Sequence, residues 1–186
     1  MEGATPSLPL FWGDLRIKKM IKPQKEQDML NHLDAFCEVL HQKCRLVYPN
    51  LNDDDSKTKI FYPACIVTCK YNDKLYDGRS KSGTVDIPFS LDKSINKILE
   101  NKLLEEAKLY KTELFKATTY QGEKIYVGSC AEDDAANQLL EADSTIPPTF
   151  SLSQIKFTQA IRPRTKQEWP YCRVCQEIFG EEDGNP

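Results

Sequence analysis

Two cysteine motifs constrain this chain more than any other feature of its sequence: Cys130-Ala131-Glu132 and, further on, Cys172-Arg173-Val174-Cys175. Both stand where an extended segment gives way to a helix. Lys124 to Val127 reads as a short extended run before Gly128-Ser129, and Ala131, Ala135, Leu139 and Leu140 then recur at helical spacing. The second motif opens a short helix over Tyr171 to Phe179. Between them, Ile155, Phe157, Gln159 and Ile161 alternate as a strand, so both helix N-termini are expected to converge at one edge of a sheet. Cys172 and Cys175 lie one helical turn apart and share a face, while Cys130 enters from the neighbouring helix as a third sulfur. Such a set suits zinc with a fourth position open to water. The positive ends of two helix dipoles would offset the excess charge of three thiolates, and Glu132 falls near enough to reach a water at the metal without having to ligate it.

The residues alone leave other readings open. Cys-x-x-Cys also serves as a redox pair, a closed structural zinc site would draw on a fourth ligand, and all three thiols could sit unligated in a core. Cys37, Cys44, Cys65 and Cys69 fall in the first helix or first strand, where apolar packing accounts for them. Seven cysteines without a basic-then-apolar-then-small leader read as reduced thiols, and the chain is expected to be intracellular. No apolar run of about 18 residues offers a membrane span.

Around the motifs the chain reads as one α/β domain. Met29, Leu33, Phe36, Cys37 and Leu40 mark a first helix from Gln24 to Cys44, with His32 and His41 beside its apolar stripe and no role assigned to either. Asn50 to Lys59 is a polar loop. Phe61 to Tyr71, Asn72-Asp73 and Leu75 to Ser80 make a hairpin. Ile95, Leu99, Leu103, Ala107, Tyr110 and Leu114 form one stripe that predicts a long helix, or two in tandem, between Asp92 and Lys116. Residues 1–23 read as an extension, 24–180 as the domain, 91–117 as a helical insertion and 181–186 as an acidic tail. The net charge of −3 argues against a broad phosphate-tracking surface, and the basic stretches Arg16 to Lys25 and Arg162 to Lys166 read as solvated faces.

At the two motifs the chain resembles the zinc-dependent cytidine deaminase superfamily, whose signature is His or Cys, x, Glu followed by Pro-Cys-x-x-Cys. Gly128-Ser129-Cys130-Ala131-Glu132 with Ala135 and Leu139, and Cys172 to Gln176 with Phe179, look like that family's two zinc-bearing helices. The Cys-Ala-Glu form looks most like the branch acting on free cytidine. The hairpin Ala64 to Gly78 resembles the family's first two strands. The likeness runs from about Gln24 to Gly180, at motif strength over about twenty residues.

The resemblance implies a three-layer cytidine deaminase-like sandwich, a small mixed sheet covered by helices. It implies Zn2+ held by Cys130, Cys172 and Cys175, and Glu132 as general acid and base in hydrolytic deamination of a cytosine-type base. Its substrates would be a pyrimidine nucleoside, a nucleotide or single-stranded nucleic acid. Three departures stand beside it. Tyr171 separates Pro170 from Cys172, residues 91–117 are inserted, and little chain follows the second motif, where the family continues with further strand and helix. Either the insertion or the N-terminal extension is expected to supply the missing cover, or a second copy or another chain does, or the domain is a diverged relative that has kept zinc and lost turnover. A non-catalytic binding module that retains structural zinc is the alternative.

Overall fold

Asn72 and Asp73 take φ values of 48° and 61°, the left-handed region that these two side chains tolerate well. A two-residue turn of this kind matches the twist of antiparallel strands and fixes their register. The computed structural model describes residues 19–50, 62–80, 95–109, 116–118 and 124–182. Its elements run β1 (Lys19–Met20), α1 (Gln27–Val47), β2 (Ile66–Tyr71), β3 (Lys74–Arg79), α2 (Lys97–Leu109), β4 (Lys116–Thr118), β5 (Lys124–Tyr126), α3 (Ala131–Ala142), a 3-10 turn (Leu152–Gln154), β6 (Lys156–Phe157), β7 (Ala160–Ile161), β8 (Glu168–Trp169), α4 (Arg173–Phe179) and β9 (Glu181–Glu182).

The main sheet has the order β3-β2-β7-β8, with β6 also against β2, and every pairing in it is antiparallel. This corrects the mixed sheet expected from the sequence. β3 and β8 each join a neighbour by a tight connection, which permits only antiparallel pairing, and the strand after α4 joins β1 instead of the main sheet. Helices lie on both faces. Leu33, Cys37, Leu40 and Cys44 of α1 pack with Ile66 and Ile161 on one side. On the other, Val67, Cys69 and Phe157 meet Leu99 and Leu103 of α2, Ala135 and Leu139 of α3, and Val174 and Phe179 of α4.

The single strand expected over Ile155 to Ile161 is broken in two. Cys69 pairs with Phe157 but Ile66 with Ile161, so this side carries one residue more than the stretch of β2 it faces. The surplus is taken up beside Thr158, whose N–H donates to the Thr68 carbonyl at 2.9 Å and whose Oγ1 accepts the Thr68 N–H at 3.0 Å. That is a β-bulge, a pattern that period-two alternation cannot reveal.

The long helix is described over only part of its stripe. Among the described residues it spans Lys97–Leu109, and Lys116–Thr118 pairs antiparallel with Lys124–Tyr126 as a hairpin. The periodicity at Tyr110 and Leu114 falls outside the described residues. Ahead of α1, Lys19 and Met20 pair with Glu182 and Glu181, and the Ile21 N–H donates to the buried Gln176 Oε1 at 2.8 Å, which ties this segment to α4. No helix among the described residues is long and apolar enough to cross a membrane.

Candidate metal centre

Cys130 and Cys172 are the N-cap residues of α3 and α4, both in extended backbone with ψ near 160° (157° and 161°). Oxygen-bearing side chains usually take this position, because four N–H groups there have no partner within the helix. Here sulfur fills it. Cys172 Sγ accepts the Cys175 N–H at 3.3 Å. At α3 the capping runs the other way: Asp133, three residues on, accepts from the Cys130 backbone N–H, as the acidic partner of a capping box does.

Each helix start is fixed to the sheet by its own contacts. Gly128 takes φ 89°, a conformation that suits glycine, and turns the chain from β5 into Cys130. A side chain at Gly78 of β3 would lie 2.1 Å from the Ala131 carbonyl oxygen, so the first turn of α3 rests directly on the strand backbone. Tyr171, the residue inserted between Pro170 and Cys172, is buried, and its hydroxyl donates to the Thr158 carbonyl at the bulge. Tyr171 thus anchors the second cysteine helix.

These supports bring the sulfurs of Cys130, Cys172 and Cys175 within 4.8 Å of one another, with Cys130 and Cys172 at 3.1 Å. Around one tetrahedral zinc, thiolates at their usual bond length stand about 3.8 Å apart, so a small spreading of that pair admits the ion. The donor set suits a soft or borderline metal. Glu132 and Asp133 are both buried, with Glu132 Oε2 3.8 Å and Asp133 Oδ2 4.0 Å from Cys175 Sγ. Asp133 Oδ1 has no hydrogen-bond partner.

Without a cation the cluster divides its charge unequally. The Cys130 thiol, the Cys175 thiol and the N–H groups at the start of α4 stabilise thiolate at Cys172 and hold it well below the usual thiol range. Its hydrogen bond to Cys172 keeps Cys130 protonated, and burial first of all does the same for Cys175. Burial, followed by the charge on Cys172, pushes Glu132 up to about 8 and raises Asp133 well above the carboxylate range. A divalent cation reverses this logic, since it replaces protons as the partner of the sulfurs.

All four residues singled out by the sequence therefore meet at one place. Two neighbours were not anticipated. Asp133 carries a signal in hindsight, the carboxylate three residues after an N-cap. Cys65, read as core, is half-buried at the start of β2, and its thiol is pushed up to about 12, chiefly by burial and then by the charge of Glu132. Neither histidine joins the cluster. His41 bridges Tyr62 and the Pro163 carbonyl at 2.9 and 3.0 Å, and His32 Nδ1 pairs with Asp77 at 2.8 Å. Cys37 and Cys69 donate to the carbonyls of Pro163 and Ala135. No protein-family model, curated protein or solved structure matches this chain.

Proposed function

We propose that the chain is a zinc-dependent hydrolytic deaminase of the cytidine deaminase-like fold, acting on a cytosine-type base in a nucleoside, nucleotide or single-stranded nucleic acid. The observation that carries this reading is the meeting of three sulfurs from two helix N-termini with the buried carboxylate of Glu132, 3.8 Å from one of them. Helices on both faces of a small sheet, with the two cysteine-capped helices on one face, agree with the family the motifs resemble.

Cys130, Cys172 and Cys175 would hold the zinc, which when bound supplies the Lewis acidity that brings the pKa of water towards neutrality. The remaining work falls to Glu132. It takes a proton from the attacking water, passes it to the ring nitrogen and assists the amino group to leave as ammonia, so that the amine is exchanged for a carbonyl oxygen. Its buried carboxylate beside Cys175 stands close enough to the three sulfurs to move a proton at a metal held there. The test is Glu132→Gln. Zinc content should remain near one per chain while release of ammonia from cytidine, deoxycytidine or a cytosine-containing oligonucleotide falls by about 10²–10⁴-fold. Equal rates for both proteins would refute the mechanism.

One observation favours a second reading. A separation of 3.8 Å between Glu132 Oε2 and Cys175 Sγ is also close to the spacing of two ligands on one zinc, about 3.5 Å. Glu132 would then close the site, and the chain would be a non-catalytic binding module with structural metal. In that case Glu132→Gln lowers zinc content, and wild type turns over none of these substrates.

A further inference from the structure

Two of the three clustered cysteines stand apart from the rest in how they are placed. The sulfurs of Cys130 and Cys172 meet at 3.1 Å from two different helices, 42 positions apart in the chain, and both residues are half-buried. Cys37, Cys44, Cys69 and Cys175 are buried. Cys65 is half-buried too, but it is not a member of the group whose sulfurs all lie within 4.8 Å of one another.

The contact lies between two bonded states. Two thiolates on one zinc stand about 3.8 Å apart, and a disulfide brings two sulfurs to about 2.0 Å. From 3.1 Å either state is reached by a movement of about 1 Å or less. Cys175 is the other conceivable partner of Cys172, yet its sulfur is buried and lies 3.8 Å from Glu132 Oε2 and 4.0 Å from Asp133 Oδ2. An oxidant arriving from solvent therefore meets Cys130 and Cys172 first.

We propose that Cys130 and Cys172 form a peroxide-sensitive dithiol, whose oxidation to a disulfide releases the metal while keeping α3 and α4 joined at their N-termini. The proposal rests on the reading that the three thiols hold zinc. Hydrogen peroxide transfers one oxygen to the first thiolate: the O–O bond breaks, hydroxide leaves and a sulfenic acid forms. The second thiolate attacks that sulfur, so that the S–S bond forms, the S–O bond breaks and a second hydroxide leaves. Two electrons pass from the two sulfurs to one peroxide, and two protons from solvent turn the hydroxides into water. Neither sulfur of a disulfide is a thiolate, so Cys175 is the one ligand left to the zinc. A dithiol reductant reverses the change. The crosslink also closes a loop of 42 positions and so restricts the unfolded chain.

The test exposes the zinc-loaded chain to hydrogen peroxide and follows released zinc with a chromogenic chelator, which should take up about one ion per chain. Trypsin cleaves after Arg173, between Cys172 and Cys175, so peptide mass spectrometry without reduction tells the linkages apart. The peptide carrying Cys130 should be joined to the peptide ending at Arg173, and dithiothreitol with added zinc should restore the metal. The oxidised chain should also unfold at a higher urea midpoint than the reduced, zinc-free chain. A Cys172–Cys175 linkage overturns the proposal. So does retention of zinc in peroxide, zinc release with sulfinic acid in place of a linkage, or an oxidised chain no more stable than the reduced, zinc-free one. Zinc content before peroxide tests the metal reading separately: a chain that never holds zinc fails that reading and the release with it, whereas a wrong linkage in a zinc-loaded chain fails this proposal alone.

Discussion

Gly78→Ala tests whether the metal centre is built on the close approach of α3 to β3. A methyl group added there would lie 2.1 Å from the Ala131 carbonyl oxygen, 2.5 Å from the Ala135 nitrogen and 2.7 Å from Ala135 Cβ. Two of these atoms are backbone, so no side-chain rotation relieves them. The first turn of α3 must retreat by about an ångström or more to restore ordinary contact. Overpacking of this kind costs about 1–3 kcal/mol, and fixed backbone atoms put this case at the upper end. Alanine's more restricted unfolded chain offsets about 0.4–1 kcal/mol of that. The expected net loss is about 2 kcal/mol, read as a lower urea midpoint for zinc-loaded protein with an unchanged denaturant slope. Because the same turn carries Cys130, zinc should also pass to a competing chelator more readily than from wild type. A midpoint within about 0.5 kcal/mol of wild type, with zinc retention unaltered, would refute the reasoning.

Wild type should carry close to one zinc per chain, Cys172→Ser and Cys175→Ser should each lose most of it, and Cys37→Ser and Cys69→Ser, whose thiols meet backbone carbonyls elsewhere, should keep it; metal analysis per chain decides. Tyr171→Phe removes the donor to the buried Thr158 carbonyl and should cost about 1–3 kcal/mol in urea unfolding, with a smaller loss if the hydroxyl is idle. Glu26 and Asp28 are held below the usual carboxylate range, first by their hydrogen bonds to Lys70. Their folded pKa values lie below the unfolded ones, so the contribution is complete above a pH of about 4 and fades as pH falls through the lowered values. Lys70→Met should therefore flatten the acid side of the stability profile below about pH 4, and a profile parallel to wild type would count against it.

The elements that carried strong periodic or turn signals were legible in the sequence. Met29, Leu33, Cys37 and Leu40 do form the buried stripe of α1, and Asn72-Asp73 does close the hairpin. What escaped depends on tertiary pairing. The bulge at Thr158 arises from its bonds to Thr68, ninety positions away in the chain, and no local pattern encodes it. The antiparallel sheet follows from where the strand after α4 finds its partner. At the site, the four chosen residues shared a common local signal, a helix start, and the structure brings them together. Cys65 had none, because a half-buried thiol at a strand end reads like any other core residue. Asp133 looked like an ordinary first-turn acid until its burial was known.

The two cysteine helices are held by separate means, and this bears on what a metal would do. α3 rests on Gly78, and α4 hangs from Tyr171 and from the bond between Gln176 and Ile21. Cys130, Cys172 and Cys175 join them at their N-termini, where the sulfurs occupy positions that short oxygen-bearing residues would cap as well or better. Capping alone thus gives no reason for sulfur at both starts. Nor does apolar packing, because Cys130 and Cys172 are only half-buried and lie beside two fully buried carboxyl groups. Such a concentration of acidic groups is costly to bury unless a cation balances it. A metal ion there would offset that cost and link two helices that the sheet otherwise holds independently. Its removal should therefore loosen the start of α4 before it unfolds the hairpin of β2 and β3.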